Sequence, residues 1–417
     1  MNPSPSAHHT VARHRLRAPS ARLLNRLCAP LPILGLVLAI LSIGIAGCAP
    51  GAVPLDADAV APASSTTASS TAAPPADAPP AAAAAARGRV TSTVLGDPNA
   101  GFLRGMTVSC PRDGRIWGTS AMVRTLETLK PLGVDWVTVH PYGWVRRDGS
   151  VRFRPADEVP WMQGAIDHVR ASGMGLFWKP HLGYWGSFEW RGTIEFDDER
   201  TWQYFFDQYT AWIVDQAKLA ARNDVPLFSV GLEYTKTLHR EDDWRRVIAA
   251  VRAVYPGLLT YSAHWEYLDQ IAWWDALDWI GVQYYVPLVD YHDRRLPDRD
   301  TIRAAWAAPM AKLERMSKAH GGKPVVLTEI GYDLGPEAAR EPWRVASRDN
   351  AANRALRRRL MEVAIEETAD RSWLRGMFWW KWIPQRRGSR DFAMEDRDAR
   401  AVLQQGWGRA AAADAGR

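Results

Sequence analysis

The chain has 417 residues, a formal net charge of +6 and three cysteines. Residues 1–47 hold five arginines and no acidic residue, and subtracting those five charges leaves +1 for the rest of the chain. A balance this even lacks the basic surface of a nucleic-acid-binding domain, so no nucleic-acid partner is expected. Cys28 and Cys48 lie within or next to that basic segment, which excludes a disulfide framework in the remainder.

The N-terminal segment, residues 1–47, has the pattern of a secretory signal peptide. An apolar run from Leu31 to Ile45 follows the arginines, and it is too short to span a bilayer. It ends in Ile-Ala-Gly before Cys48, which resembles the bacterial lipobox, whose cysteine receives lipid. We therefore predict a lipoprotein signal peptide, lipidation at Cys48 and an exported, membrane-anchored protein on the outer membrane or cell surface. An ordinary signal peptide with a chance cysteine is the alternative.

Residues 48–98 consist mainly of Ala, Pro, Ser and Thr. The segment has almost no large apolar side chain to bury, so it is predicted to be a disordered tether. A coil of this length would reach roughly 40 Å. It would hold the following domain away from the membrane.

Residues 99–410 alternate between strand-like and helix-like segments, which predicts one parallel α/β domain. The predicted strands are Leu103–Ser109, Val134–His140, Leu176–His181, Leu227–Glu233, Leu258–Trp265, Trp279–Tyr285, Val325–Glu329 and Gly376–Trp380. The predicted helices are Ser120–Leu132, Asp157–Ser172, Glu199–Arg222, Asp242–Tyr255, Tyr267–Trp274, Thr301–His320 and Asp349–Asp370. Eight strands in such an order predict a (β/α)8 TIM barrel.

Two of these strands end in a carboxylate. Glu329 follows the apolar run Val-Val-Leu-Thr of the seventh strand, and Glu233 ends the fourth. The C-terminal strand ends of a barrel meet at one mouth, so the two side chains are expected to face each other there. Glycosidic-bond hydrolysis needs such a pair of carboxylates. The alternatives are structural pairing of Glu329 with an arginine, and a catalytic part for Glu266 on the loop after the fifth strand.

An ordered set of short motifs resembles glycoside hydrolase family 113, the endo-β-1,4-mannanases, within the retaining clan of barrel glycosidases. The motifs are Arg104-Gly105-Met106-Thr107, Leu132-Gly133-Val134-Asp135-Trp136-Val137, His140-Pro141-Tyr142, Lys179-Pro180-His181, Trp190-Arg191-Gly192, Gly231-Leu232-Glu233, Leu277-Asp278-Trp279-Ile280-Gly281-Val282, Thr328-Glu329-Ile330-Gly331 and Trp379-Trp380-Lys381-Trp382. The resemblance implies an endo-acting retaining glycosidase on a β-linked polysaccharide such as mannan, working without a cofactor.

The same resemblance implies roles for individual residues. Glu233 would be the acid/base and Glu329 the nucleophile, with Tyr285 hydrogen-bonded to the nucleophile. Trp380 would floor the subsite where the bond breaks, with Trp382 as the competing candidate.

Further substrate-binding candidates come from the residue pattern. Lys179 and His181 are two positions apart, hence on one face of the third strand, where they could bond sugar hydroxyls. Pairing of Lys179 with an acid inside the barrel is the alternative. His140 and His181 could also be metal ligands. Metal-dependent barrel hydrolases need further clustered ligands, and the first strand has no His to supply them, so no metal is predicted. Other candidates line the predicted groove: His140, Trp185, Trp190 and Trp265.

Leu232 departs from the family pattern. The broad clan has asparagine before the acid, contacting the sugar 2-hydroxyl, and leucine cannot make that hydrogen bond. Mannan specificity is therefore an open question at the sequence level. Two other functions stay open, a non-catalytic carbohydrate-binding lipoprotein and a transglycosylase acting on envelope polysaccharide.

Overall fold

The computed structural model of the chain describes residues 101–110, 113–345, 347–385 and 391–408. Eight parallel strands pair in chain order and close into a barrel, as the sequence predicts. The strands are Leu103–Val108, Trp136–Val139, Gly175–Trp178, Leu227–Leu232, Leu258–His264, Ile280–Gln283, Val325–Ile330 and Leu374–Trp382. They are buried along nearly their whole length, because the barrel interior covers one face and the helices cover the other.

Amphipathic helices surround the barrel. The helices are Ser120–Leu129, Pro160–Ser172, Glu199–Arg222, Glu241–Arg252, Arg299–Ala319, Ala351–Thr368 and Arg397–Leu403. Polar side chains begin several of them: Thr119, Asp198, Asp298 and Asn350 each accept a hydrogen bond from a backbone N–H of the first turn. These caps satisfy donors that the helix itself leaves free, which fixes where each helix starts.

A separate apolar cluster fills the barrel at the N-terminal ends of its strands. Its buried members are Leu103, Trp136, Phe177, Leu227, Trp279, Val326 and Phe378. The fit is tight, because a Cβ on Gly105 would stand 2.2 Å from the Phe378 ring. These side chains close the barrel at the N-terminal ends of its strands. Polar side chains inside the barrel can therefore reach solvent only at the C-terminal ends of the strands.

Two local predictions are wrong. The predicted helix Tyr267–Trp274 is replaced by two short 3-10 turns, Leu268–Gln270 and Trp274–Ala276. In place of a helix, large aromatic side chains of this loop pack against the neighbouring helix: Trp273 stacks on Trp244 with ring centroids 5.5 Å apart. The chain then returns to the barrel within a few residues.

The third strand ends at Trp178 instead of His181. Pro180 has no N–H to donate to the barrel ladder, which ends the pairing there. The chain continues as His181–Gly183, which pairs with Tyr142–Val145, and that strand pairs with Val151–Arg152. This small three-stranded sheet stands beside the barrel mouth and has no counterpart in the sequence predictions.

The predicted signal peptide, Cys48 and the predicted tether lie outside the described residues. The boundaries of the three predicted segments therefore stay predictions. In the described ranges, every helix is too short or too polar to cross a membrane.

Candidate active site

Glu233 directly follows the fourth barrel strand. Its backbone has φ +52°, a left-handed conformation that is uncommon outside glycine. Its N–H donates to the carbonyl of Ser262 on the fifth strand, at 2.9 Å. This bond fixes the residue after its strand has ended. The strained backbone aims the carboxyl across the barrel mouth, as strained residues at functional sites often do.

The Glu233 carboxyl is largely buried, with 13% of the side chain exposed. Burial raises the pKa of Glu233 to about 7, and the negative charge of Glu329 adds to this rise. The guanidinium of Arg191 opposes it, with Nη1 lying 3.5 Å from Oε2 of Glu233. A carboxyl with this pKa is about half protonated in neutral solution and can give up its proton to a leaving group.

Glu329 lies within the seventh strand and is buried at the same mouth. The hydroxyl of Tyr285 donates to its Oε1 at 2.6 Å, and Nζ of Lys179 donates to its Oε2 at 2.9 Å. Burial by itself would raise the pKa of Glu329, but the Lys179 charge and these hydrogen bonds lower it overall. Glu329 is therefore held as the carboxylate, the form that a nucleophile requires.

Gln283, at the end of the sixth strand, contacts the Glu329 carboxylate. Its Nε2 donates to Oε2 of Glu329 at 3.0 Å, and the polar amide also lowers the pKa of Glu233 slightly. Thr328 donates to Oε1 of Gln283 at 3.0 Å, which fixes the orientation of the amide. The amide of Gln283 and the charges of Lys179 and Arg191 thus act on both carboxyl groups at one end of the barrel.

A cavity of about 860 Å³ opens above this pair. Its walls are strongly aromatic, with Tyr142, Trp144, Tyr184, Trp185, Trp190, Trp265, Trp343 and Trp380 among the residues that line it. The apolar faces of sugar rings stack on such side chains, while their hydroxyls meet the polar ones. The cavity therefore suits a carbohydrate.

Five of the sequence-predicted substrate-binding residues line this cavity: Tyr285, Trp380, Trp185, Trp190 and Trp265. Trp382 does not; it is buried, so Trp380 is the one of the two competing tryptophans that reaches the cavity. The peptide bond between Trp380 and Lys381 is cis. Lys381 lies 5.0 Å from the centroid of the Trp380 ring and pairs with Asp391 at 2.9 Å.

The other three predicted substrate contacts lie beneath the cavity. Lys179, His140 and His181 are all fully buried, and the two imidazoles stack with centroids 4.7 Å apart. The shared strand face predicted for Lys179 and His181 is wrong, because the strand ends at Trp178; their bonds to sugar hydroxyls stay a prediction. Lys179 pairs with Glu329 and also donates to the carbonyl of Thr328 at 3.0 Å. In the described parts of the chain, no cluster of three or more His, Cys, Asp or Glu could hold a metal ion.

The sequence did not predict several contacts that the structure shows at this site. Arg191 and Gln283 contact the carboxyl groups, while Lys381 and Trp343 line the cavity. Arg191 stood within the Trp-Arg-Gly motif, but nothing in the sequence shows which strand end a loop residue reaches. Gln283 precedes Tyr285 by two positions, so the alternation along a strand could have placed both at the mouth.

Glu266 is the remaining carboxylate candidate from the sequence. It lines the cavity but its side chain is 50% exposed, and it lies 3.9 Å from Nδ1 of His264. Solvent at this position leaves it without the burial and hydrogen bonds that distinguish Glu233 and Glu329. We therefore place it on the rim of the site.

A closed parallel barrel with two buried carboxyl groups at its mouth is the arrangement of a glycoside hydrolase. Comparison with family models supports this class. The model of Glycoside Hydrolase Family 113 matches residues 106–400, and the chain belongs to that family. It is a glycosidase of the (β/α)8-barrel type.

Solved structures show the same fold. A β-mannanase of this family from Alicyclobacillus acidocaldarius is 24% identical, with a TM-score of 0.64 over 76% of this chain and 99% of its own. A second β-1,4-mannanase of the family, in a complex structure, gives the same identity and TM-score over 74% of this chain. A family 5 mannosidase from Rhizomucor miehei is more distant, at 11% identity, with a TM-score of 0.50 over 75% of this chain and 95% of its own. No curated protein sequence matches the chain.

Proposed function

We propose that the chain is a retaining glycosidase in which Glu233 is the acid/base and Glu329 is the nucleophile. The observation that carries this assignment is the difference between their surroundings: Glu329 accepts hydrogen bonds from Tyr285, Lys179 and Gln283, whereas Glu233 is buried with one ion pair, 3.5 Å long. Burial raises the pKa of Glu233 to about 7, whereas Lys179 and Tyr285 lower that of Glu329. Two carboxyl groups whose environments separate their pKa values in this way can divide acid and nucleophile between them.

The reaction proceeds by two displacements at the anomeric carbon. In the first, a Glu329 oxygen bonds to that carbon, the bond to the leaving sugar breaks, and the leaving oxygen takes its electron pair and the proton of Glu233. In the second, ionised Glu233 takes a proton from water while the water oxygen bonds to the anomeric carbon. The bond to Glu329 breaks, which restores its carboxylate. Configuration is retained, because each displacement inverts the carbon once.

The substrate we propose is a β-1,4-linked mannan, cleaved within the chain. Support comes from the β-1,4-mannanases among the similar structures and from a cavity whose aromatic walls extend away from the carboxyl pair. Leu232 is fully buried in the core, so it offers nothing to the sugar 2-hydroxyl. Discrimination between mannose and other sugars must then come from the residues that line the cavity.

The test is hydrolysis of mannan, glucan, xylan and galactan by the purified protein. We expect mannan to be cleaved to oligosaccharides, and Glu233→Gln and Glu329→Gln each to reduce turnover by several orders of magnitude. Glu266→Gln is the matched control, because it removes a carboxylate from the same cavity and should retain most activity. If only a polysaccharide other than mannan is hydrolysed, mannan is not the substrate, but the assignment as a glycosidase stands. Near-normal turnover by either catalytic variant would remove the assignment.

We also propose that the enzyme is exported and held on a membrane by lipid on Cys48. Support comes from the apolar run that ends in Ile-Ala-Gly-Cys and from the Ala/Pro/Ser/Thr-rich stretch behind it. Labelled palmitate should enter the full-length protein, and Cys48→Ser should abolish labelling and release the protein from the membrane fraction. Unlabelled protein that stays soluble when full-length would contradict this localisation.

A further inference from the structure

Arg191 lies on the loop after the third strand, at the start of a short 3-10 turn, Arg191–Thr193. The turn is tightly packed, because a Cβ on Gly192 would stand 2.2 Å from the Trp190 ring. The guanidinium lies over the Tyr184 ring at 5.7 Å from its centroid. Arg191 is therefore held by its surroundings in one direction, towards the cavity.

The guanidinium of Arg191 is mostly buried but contacts few polar groups. Only 16% of the side chain is exposed, and its ion pair with Glu233 is 3.5 Å long. Within the described parts of the chain its five N–H donors make no hydrogen bond to another residue. A buried arginine is ordinarily paired through several donors, as Arg357 is here with the Ala393 carbonyl and Asp396. Arg191 thus acts on Glu233 mainly through its charge.

The proposed reaction needs Glu233 in opposite states. It must carry a proton in the first displacement and be ionised in the second. The charges facing Glu233 come from Arg191, Lys179 and Glu329, and the Tyr234, Tyr261 and Tyr285 hydroxyls also lie near it. Of these charges, only that of Glu329 disappears when the glycosyl-enzyme forms. Lys179 is occupied by its bonds to Glu329 and Thr328, whereas Arg191 is directed at Glu233.

We propose that Arg191 is a positioning residue that converts Glu233 from acid to base between the two displacements, by supplying a fixed positive charge beside it. While Glu329 is ionised, its charge offsets that of Arg191 and the proton stays on Glu233. Once Glu329 is esterified to the sugar, the Arg191 charge is unopposed and Glu233 ionises. This inference rests on the retaining function proposed above.

The test compares pH profiles of the wild type, Arg191→Met and Arg191→Lys. Dinitrophenyl β-mannobioside is the probe, because its leaving group departs without a proton and kcat then reports the second displacement. Mannan oligosaccharides, which need the acid, report the first. Lys236→Met is the matched control: Lys236 lies on the turn after Glu233, is more than half exposed and pairs with Glu195 at 3.5 Å. Circular dichroism checks the fold of each variant.

For Arg191→Met we expect the alkaline limb of kcat/KM on oligosaccharides to move up by about one to two pH units. On the dinitrophenyl substrate, kcat in mildly acidic buffer should fall about tenfold for each unit by which the base pKa rises. Azide accepts the sugar without a base and should restore that kcat. Arg191→Lys should recover most of both effects, and Lys236→Met should show neither.

The outcomes separate the inference from the function on which it rests. If the wild type turns over neither substrate, the proposed function fails. If the wild type is active and the limbs of Arg191→Met do not move, the inference fails. A uniform loss of kcat/KM at every pH, with no rescue by azide, would make Arg191 a substrate-binding residue and overturn the inference too. Should Arg191→Met not fold, Arg191→Gln removes the same charge and faces the same criteria.

Discussion

The ion pair between Lys179 and Glu329 gives the sharpest quantitative prediction. Lys179 is fully buried, and burial lowers its pKa although the charge of Glu329 opposes that shift. At 2.9 Å and an effective dielectric constant of about 20, the two charges attract each other by about 5–6 kcal/mol. Much of that attraction offsets the cost of burying both ions. Lys179→Met leaves Glu329 as a buried charge without this partner.

We expect Lys179→Met to lower the free energy of unfolding by about 3–5 kcal/mol at neutral pH. The double variant Lys179→Met/Glu329→Gln should recover at least about 2 kcal/mol of that loss, because it removes both charges. In the wild type, the pKa of Glu329 is lower in the folded state than in the unfolded state. Ionised Glu329 therefore stabilises the fold at pH values above its pKa in the unfolded state. That stabilisation is lost as the pH falls through its pKa in the folded state. In Lys179→Met that pKa rises, so the deficit should shrink as the pH is lowered.

The assay is urea unfolding of the wild type, both single variants and the double variant, together with pH profiles of the active proteins. The acidic limb of kcat/KM in Lys179→Met should move up by about one to three units, because Glu329 must be ionised to attack. Lys318→Met is the control, since solvent screens its exposed pair with Glu314 and little change in stability is expected. Additive single-variant losses together with an unmoved acidic limb would refute the reasoning.

Three further results are expected. Tyr285→Phe removes a hydrogen bond to the Glu329 carboxylate that is worth about 1.5–3 kcal/mol. We therefore expect kcat/KM to fall about tenfold to 150-fold and its acidic limb to move to higher pH. Unchanged kinetics would contradict this. Wild-type kcat/KM should fall tenfold per unit above about pH 7, because Glu233, whose pKa burial raises to about 7, must be protonated for the first displacement. Trp185→Ala should raise KM for polymeric mannan up to about tenfold and leave short oligosaccharides unaffected, whereas Tyr291→Ala, exposed outside the cavity, should change neither.

Local patterns in the chain predict the barrel well, because strand-like segments alternate with helix-like ones and several strands, such as Val325–Ile330, are short apolar runs. The predicted helix Glu199–Arg222 agrees with the structure at both ends, since Asp198 caps its start. Failures occur where tertiary packing decides. Trp273 and Trp274 looked like the apolar side of a helix, but they fill the helix layer from a loop.

Within the candidate site, too, the local pattern predicted some residues and tertiary packing placed others. Glu233 and Glu329 could be predicted as site residues because each carboxylate stands at the end of an apolar run. Arg191 could not, because its position depends on how a loop folds back over the mouth. For Lys179, the shared strand face with His181 was wrong because Pro180 ends the strand, whereas the alternative, pairing with an acid inside the barrel, agrees with its contact with Glu329.

The central claim is that Glu329 forms a covalent bond to the sugar while Glu233 donates and then accepts the proton. Its most direct test is to trap the intermediate with a dinitrophenyl fluoromannoside and locate the adduct by peptide mass spectrometry. We predict one sugar on the peptide that contains Glu329, with the adduct accumulating further in Glu233→Gln. An adduct on Glu266 or Glu233, or turnover that releases the inverted anomer without any adduct, would contradict the account.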